Sequence, residues 1–300
     1  MNVGKAIEYF FFQTVGAIVR MLPLNGARWL GGALGVLVYG AGVRKKITRN
    51  NLRNAFPEQS TKECDRIARE SFRTIATTLV EFMWFPRLSN EAIRSMVAVK
   101  NPELLVEAKG RGKGVVLLTL HFGSWEMFAL ASSAVIREPL QIIVKTQSNE
   151  YVDTEVNRWR SRLGGVTVPM EQSVRHMLKA LSNGQVILLA ADQTAAQDAV
   201  KVNFFGRETP CFEGPAVFAL KTGAPLIFGF ARRLVSGNLE MEYSEINTAD
   251  LSGATEKNIR LLTERHVQAA EELIRKYPDQ WMWMHRRWKH VVDWSMSQDA

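Results

Sequence analysis

Leu117-Leu118-Thr119-Leu120-His121-Phe122-Gly123-Ser124-Trp125-Glu126 holds a strand end, a turn and a helix start within ten residues. The apolar run over 114–120, rich in Val and Leu, suits a strand of a sheet covered on both faces, which needs no polar side. Gly123 permits the turn. Ser124 stands at the N-cap of a helix expected over 125–137, and Glu126 falls in its first turn, where the helix dipole favours a negative charge. His121 is therefore delivered at a strand end with Glu126 one turn on, and the two side chains are expected to meet. An imidazole near its neutral pKa, oriented by a carboxylate, is what a general base needs. Strand ends are also where α/β folds gather ligand-handling groups. By spacing alone, a satisfied structural histidine is the competing reading.

Outward from this stretch the pattern alternates. Strands are expected over 141–146, 185–191, 225–230 and 239–246, and helices over 151–163 and 170–183. Gly184 is placed at the C-cap of the second. A helix begins at Thr61, carries Ile75, Leu79, Phe82 and Met83 at helical spacing, and stops at Pro86. A long helix over 255–276 ends at Tyr277-Pro278. The glycines of 110–114 precede a strand and do not open a helix, so they read as a tight turn and not as a phosphate cradle. The fold class is α/β: a mixed, largely parallel sheet flanked by helices, with an N-terminal membrane-associated helical segment. The division is 1–44 as membrane anchor and 45–300 as catalytic domain. The latter comprises a helical cap (45–98), an α/β core (99–247) and a C-terminal helix with a Trp/Arg-rich tail (248–300).

The anchor rests on composition. Residues 10–19 are almost wholly apolar and 29–43 carry no charge, with Arg20, Pro23 and Asn25 between them. Each run falls short of the roughly 20 residues of a simple span. A tilted span or interfacial helices are expected, with Arg44, Lys45, Lys46 and Arg49 facing anionic headgroups. A helical hairpin packed on the core is the alternative. The chain has 300 residues and a formal charge of +8, from 38 Lys and Arg against 30 Asp and Glu. Such a balance favours anionic partners: phospholipid surfaces, phosphorylated glycolipids or acidic carriers. Nucleic acid is not expected as a partner, because zinc-finger spacing, an RNP-like run and a basic heptad helix are all lacking. Cys64 and Cys211 make no disulfide framework, which suits a reducing compartment.

His121-Phe122-Gly123-Ser124-Trp125-Glu126 resembles the His-x4-Glu motif of the lipid A biosynthesis acyltransferases, the lauroyl/myristoyl transferase branch of the lysophospholipid acyltransferase superfamily. Asp192-Gln193 after the strand over 185–191, the block from Phe204 to Thr209, Gly214-Pro215-Ala216, Thr222-Gly223-Ala224-Pro225 and the tail from Pro278 to Lys289 follow in family order. The resemblance covers nearly the whole chain. Two departures set it apart from the glycerolipid branch. Leu120 precedes His121 where that branch has Asn, and Glu126 closes the motif where it has Asp. The motif is shared with relatives that acylate other glycolipids, including mannosides.

The resemblance implies transfer of a fatty acyl chain from acyl carrier protein, or from acyl-CoA, to a hydroxyl of a lipid A precursor or related anionic glycolipid. The enzyme would work at the cytoplasmic face of the bacterial inner membrane. Such a transfer must deprotonate the attacking hydroxyl, stabilise the oxyanion and align both substrates. His121 would take the proton, with Glu126 holding the ring. A nucleophile elbow Gly-x-Ser-x-Gly is absent, in keeping with direct transfer. No cofactor and no metal are expected, since His121 and Glu126 are only two candidate ligands. A family arginine aligns with Arg158, with Arg160 as the alternative, and would bind phosphate as a guanidinium fork does. A solvated basic face of Arg158, Arg160 and Arg162 is the bland reading. Asp192 would orient that arginine or the acceptor, or merely cap a strand-end turn. Gly206 and Gly214 are read as sites of close backbone approach. Trp281, Trp283, Arg286, Arg287 and Trp288 suit a membrane-interface belt or, equally, a strand packed on the core. Rival activities are acylation of a lysophospholipid or mannoside, and lipid hydrolysis. A catalytically silent membrane-binding protein is a further alternative.

Overall fold

The computed structural model describes residues 3–161 and 164–291. Helices come first: α1 (Val3–Met21), α2 (Leu24–Gly40), α3 (Lys45–Ala55), α4 (Thr61–Trp84) and α5 (Asn90–Met96). Pro23 divides the first two. Ser60 caps α4 by accepting from the Glu63 backbone N–H at 3.2 Å, and the Pro86 turn follows its end. Of the expected α4 face, Ile75 and Phe82 are buried while Leu79 is half exposed. Helices α2 and α4 approach to backbone contact. A Cβ on Gly31 would lie 2.8 Å from the Thr77 Cα, and one on Gly35 would overlap the Phe72 carbonyl.

The remaining elements build the sheet and its covers. They are β1 (Val97–Val99), α6 (Pro102–Gly110), β2 (Val115–Thr119), α7 (Trp125–Ile136), β3 (Leu140–Val144), α8 (Glu150–Ser161), β4 (Gly165–Pro169) and α9 (Ser173–Ser182). After them come β5 (Val186–Ala190), β6 (Lys201–Phe204), β7 (Arg207–Pro210), α10 (Gly214–Thr222), β8 (Leu226–Arg233), β9 (Leu239–Ile246) and α11 (Glu256–Lys276). Seven strands form one sheet in the order β1-β9-β8-β2-β5-β3-β4. Five run parallel; β9 is antiparallel to β8, and β1 follows β9. Strand β2 is central and buried along its whole length. Its alternate side chains serve two cores, Val116 and Leu118 on one face of the sheet, Val115 and Leu117 on the other, as the period-two geometry of a strand requires. The expected largely parallel, helix-flanked sheet is what forms. Strand β1 joins it as an edge, so the boundary drawn after residue 98 cuts a strand.

The structure adds a hairpin, corrects one expectation and decides an open one. Hairpin β6–β7 was hidden in the block around Phe204. Its two-residue turn has positive φ at both Phe205 (53°) and Gly206 (74°), the geometry that suits strand twist. A Cβ on Gly206 would touch nothing, and one on Gly214 would make only ordinary contacts, so neither marks a close approach. The C-terminal tryptophans form no belt: Trp281, Trp283 and Trp288 are at most 2% exposed and pack among Phe56, Phe204 and Phe205. No helix among the described residues is long and apolar enough to cross a membrane. Helices α1 and α2 pack on the rest of the chain by one face, through Val19, Ala27 and Val80. They leave Phe10, Phe11, Met21, Trp29 and Leu37 exposed.

Candidate active site

Parallel pairing sets the site. Thr119 of β2 lies opposite Ala190 of β5. Two residues further along each chain stand His121 and Asp192, side by side at the carboxyl ends of adjacent strands. His121 Nδ1 is 2.8 Å from Asp192 Oδ1, and the His121 backbone N–H donates to Oδ2 at 3.0 Å. Trp281 Nε1–H donates to the same Oδ2 at 2.8 Å. Asp192 is buried and the His121 side chain 24% exposed. Burial alone would push the His121 imidazolium down, yet the Asp192 charge and hydrogen bond outweigh it and raise its pKa. Burial would likewise raise Asp192, but the His121 charge and the donated hydrogen bonds hold it low. With Nδ1–H given to Asp192, the lone pair sits on Nε2. Gln193 Nε2 lies 3.5 Å from that atom.

The loop that carries His121 is held at every turn. Met282 N–H donates to the His121 carbonyl at 3.1 Å, and Gly123 N–H donates to Gln280 at 2.8 Å. Thr78 Oγ1–H donates to the Gly123 carbonyl at 2.7 Å. Gly123 has φ of 53°, and a Cβ there would collide with the Ala231 carbonyl, so any side chain would displace the loop. Ser124 does occupy the N-cap position of α7, but it makes no side-chain cap. Its hydroxyl donates instead to Glu81 Oε2 at 3.1 Å. Glu81 is itself buried between Arg28 and Arg233, each 2.6 Å away. Burial would raise this carboxyl; the two arginines hold it low.

The expected pairing of Glu126 with His121 is not made. Glu126 turns to Arg160 of α8, with Oε1 2.5 Å from Nη2 and Oε2 3.0 Å from Nε. A guanidinium fork satisfies both carboxylate oxygens at once, which a ring nitrogen does not. Nor does Asp192 orient an arginine; it holds the histidine. Of the two arginines weighed, Arg160 reaches the site and Arg158 does not. The Arg158 side chain is 71% exposed and pairs with Glu155 on its own helix. Arg162 lies outside the described residues.

A cavity of about 440 Å³ opens at this end of the sheet. His121, Glu126, Arg160 and Gln193 form its polar end. Ile142, Val144, Leu188, Phe212 and Phe218 are among its apolar lining, and Thr119, Lys145, Gln147 and Ser173 also stand on the wall. Met170 and Val174, also on its wall, are exposed to solvent at 45% and 60%. The arrangement offers a base with an oriented lone pair beside an apolar groove and an ion pair. Sequence reasoning gave Trp281 and Gln193 no role at the histidine. The Asp192 contact did leave a signal: the apolar runs over 114–120 and 185–191 each end in a polar residue at the same offset.

Comparison with known proteins points one way. The family model described as bacterial lipid A biosynthesis acyltransferase matches residues 3–290. The lipid A biosynthesis palmitoleoyltransferase of Escherichia coli (strain K12) is 25% identical over 258 residues, 82% of this chain and 79% of that one. The lauroyltransferase of the same strain is 25% identical over 284 residues, 91% and 88% of the two chains. A phosphatidylinositol mannoside acyltransferase of Mycolicibacterium smegmatis (strain ATCC 700084 / mc(2)155) is also 25% identical, over 264 residues and 84% of each chain.

Proposed function

The chain belongs to the bacterial lipid A biosynthesis acyltransferase family and is an acyltransferase, and from that premise we propose that it moves a fatty acyl group from a thioester to a hydroxyl of an anionic glycolipid, with His121 as general base. The observation that carries this reading is His121 with Nδ1 held by Asp192 at 2.8 Å, on the wall of an apolar cavity. The acceptor hydroxyl gives its proton to Nε2 as its oxygen attacks the thioester carbonyl. Asp192 keeps the ring in that tautomer and stabilises the imidazolium formed. Collapse of the tetrahedral intermediate breaks the C–S bond and expels the thiolate, which takes the proton from the His121 imidazolium and leaves as the thiol. Arg160, fixed by Glu126, faces a phosphate of the acceptor. The apolar wall receives the hydrocarbon chain. Acyl carrier protein is the favoured donor and acyl-CoA the alternative; both are anionic and suit a chain of +8.

The favoured acceptor is a lipid A precursor. The mannoside acyltransferases among the relatives make a phosphoinositide mannoside the second candidate. The exposed apolar row of α1 and α2, followed by Arg44, Lys45 and Lys46, supports helices lying in the bilayer interface. The surface proposed is the cytoplasmic face of the bacterial inner membrane.

The test supplies purified protein with acyl carrier protein or CoA thioesters and, in turn, a phosphorylated disaccharide lipid, a phosphoinositide mannoside and a lysophospholipid. Products are read by mass spectrometry. The reading expects one added acyl chain on the disaccharide lipid. Free fatty acid as the sole product would identify a hydrolase and overturn it.

A further inference from the structure

Beside Asp192 of the His121–Asp192 pair lies a second and much smaller cavity, of about 10 Å³. Asp192, His266 and Arg287 are its polar wall; the rest is apolar, including Leu118, Leu120 and Phe204. His266 (2% exposed) comes from α11 and Arg287 (3% exposed) from the C-terminal segment, and the transfer chemistry above employs neither side chain.

Each of these two side chains has a specific atom left over. The His266 ring hydrogen-bonds to the backbone of Phe212, while its Nε2 is buried without a partner. A ring that gives its one N–H to a carbonyl presents the other nitrogen as an acceptor. Burial keeps this imidazole neutral, pushing its pKa down to about 4. The Arg287 guanidinium gives Nη1–H to the Pro210 carbonyl at 2.8 Å and Nη2–H to Cys211 Sγ at 2.7 Å. It also lies over the Phe204 ring, 5.1 Å from its centroid. Its Nε–H, a donor, is buried without a partner. Among the described residues no carboxylate pairs directly with this buried cation, and Asp192 is the anion on the same cavity wall.

We infer that the small cavity is a binding site for one water molecule, which accepts from Arg287 Nε–H and donates to His266 Nε2 and to Asp192. The volume matches a single water, and three hydrogen bonds are the usual number for a buried one. The donor and acceptor count closes: one proton in, two protons out. Through this water Arg287 serves as the counter-charge of Asp192, and His266 and Arg287 are positioning residues for the carboxylate that orients His121. The site stands on the cavity and the two unpartnered atoms that face it; its effect on rate rests on the base role proposed for His121.

Two measurements test it. A crystal structure of the intact protein, at a resolution that resolves ordered solvent, is expected to show one water within hydrogen-bond distance of Asp192, His266 Nε2 and Arg287 Nε. Direct contact of Arg287 Nε with either neighbour, or no density in the cavity, overturns the inference. Its failure would leave the acyl-transfer reading untouched, and the water can be seen whether or not transfer is detected. The second compares His266→Asn with His266→Gln. Asn can keep the bond to Phe212 but withdraws the acceptor from the cavity, whereas Gln places an amide oxygen near the position of Nε2. Asn is expected to lower kcat about tenfold with KM unchanged, and Gln to recover most of the loss, the size of effect typical of outer-shell supports. Wild-type kcat in a folded His266→Asn protein overturns the positioning role. If either variant folds poorly, the wild-type density decides.

Discussion

Two carboxylates stand near His121, one at the end of β5 and one in the first turn of α7, and they do different work. Asp192 is 71 residues away along the chain and accepts from the His121 ring, the His121 backbone and Trp281. Glu126 is five residues away and closes on Arg160. Strand register, not sequence distance, decides which acid meets the histidine. In a parallel pair, residues at equal offsets beyond the ladder emerge together, whereas Glu126, though on the same cavity wall, is held by Arg160.

The sharpest way to break this contrast is to remove the acids one at a time. Asp192→Asn is expected to reduce kcat by roughly 10²–10⁴-fold, as His121→Ala should, because both abolish a correctly oriented base. Steady-state kinetics with saturating donor read this. A collapse in Glu126→Gln with Asp192→Asn nearly unimpaired would invert the comparison.

Glu126→Gln should act chiefly on stability and acceptor binding. The pair is largely buried, with side-chain exposures of 19% for Arg160 and 10% for Glu126. Leaving a buried guanidinium without its anion costs about 3 kcal/mol. Denaturant unfolding is expected to show that loss, and the KM for the acceptor to rise more than kcat falls.

pH separates the two acids further. Asp192 raises the His121 pKa above the ordinary 6.5, and the proposed base would work only when neutral. Activity should therefore rise with pH through a midpoint above that value. In Asp192→Asn the residual activity should have its acidic midpoint moved to lower pH. The stability that Asp192 contributes is present above the ordinary carboxyl value of 3.8 and is lost as pH falls through its lowered folded value. Acid unfolding should accordingly be less steep in the Asn variant.

The outer face of the N-terminal hairpin lies far from this contrast. Phe10→Glu and Trp29→Glu together should abolish sedimentation with anionic vesicles, while turnover of detergent-dispersed substrate stays within about twofold of wild type. Vesicle binding equal to wild type would remove the interfacial reading. The smallest effect is expected at Arg158. Its exposed pairing predicts that Arg158→Ala changes stability by less than about 0.5 kcal/mol and leaves kcat and KM nearly unchanged. A loss there comparable to Arg160→Ala would show that the wrong arginine has been placed at the cavity.

Much of the architecture could be read from residue pattern alone, because β2 and β5 are unbroken apolar runs and α4 and α11 carry helical periodicity with caps. The hairpin β6–β7 could not be so read: its turn uses Phe205 at positive φ, a residue type that gives no turn signal. The tryptophans near the C-terminus were ambiguous since aromatics with basics suit a membrane surface and a core alike. Only the packing of Trp283 against Phe56 and of Trp288 against Phe204 decides. At the candidate site, the strand-end histidine was visible as a polar residue closing an apolar run. Its partner was not, because choosing between Glu126 and Asp192 requires knowing that β2 and β5 are neighbours. The choice of Arg160 over Arg158 depended on helix rotation, which two arginines spaced by one residue leave open.

The most direct test of the account is a ¹⁵N NMR titration of the His121 ring in wild type, Asp192→Asn and Glu126→Gln. The expected result is a wild-type neutral ring protonated at Nδ1 with a raised pKa, a clear fall in Asp192→Asn, and a smaller change in Glu126→Gln. A fall confined to Glu126→Gln, with the ring of Asp192→Asn titrating as in wild type, would contradict it.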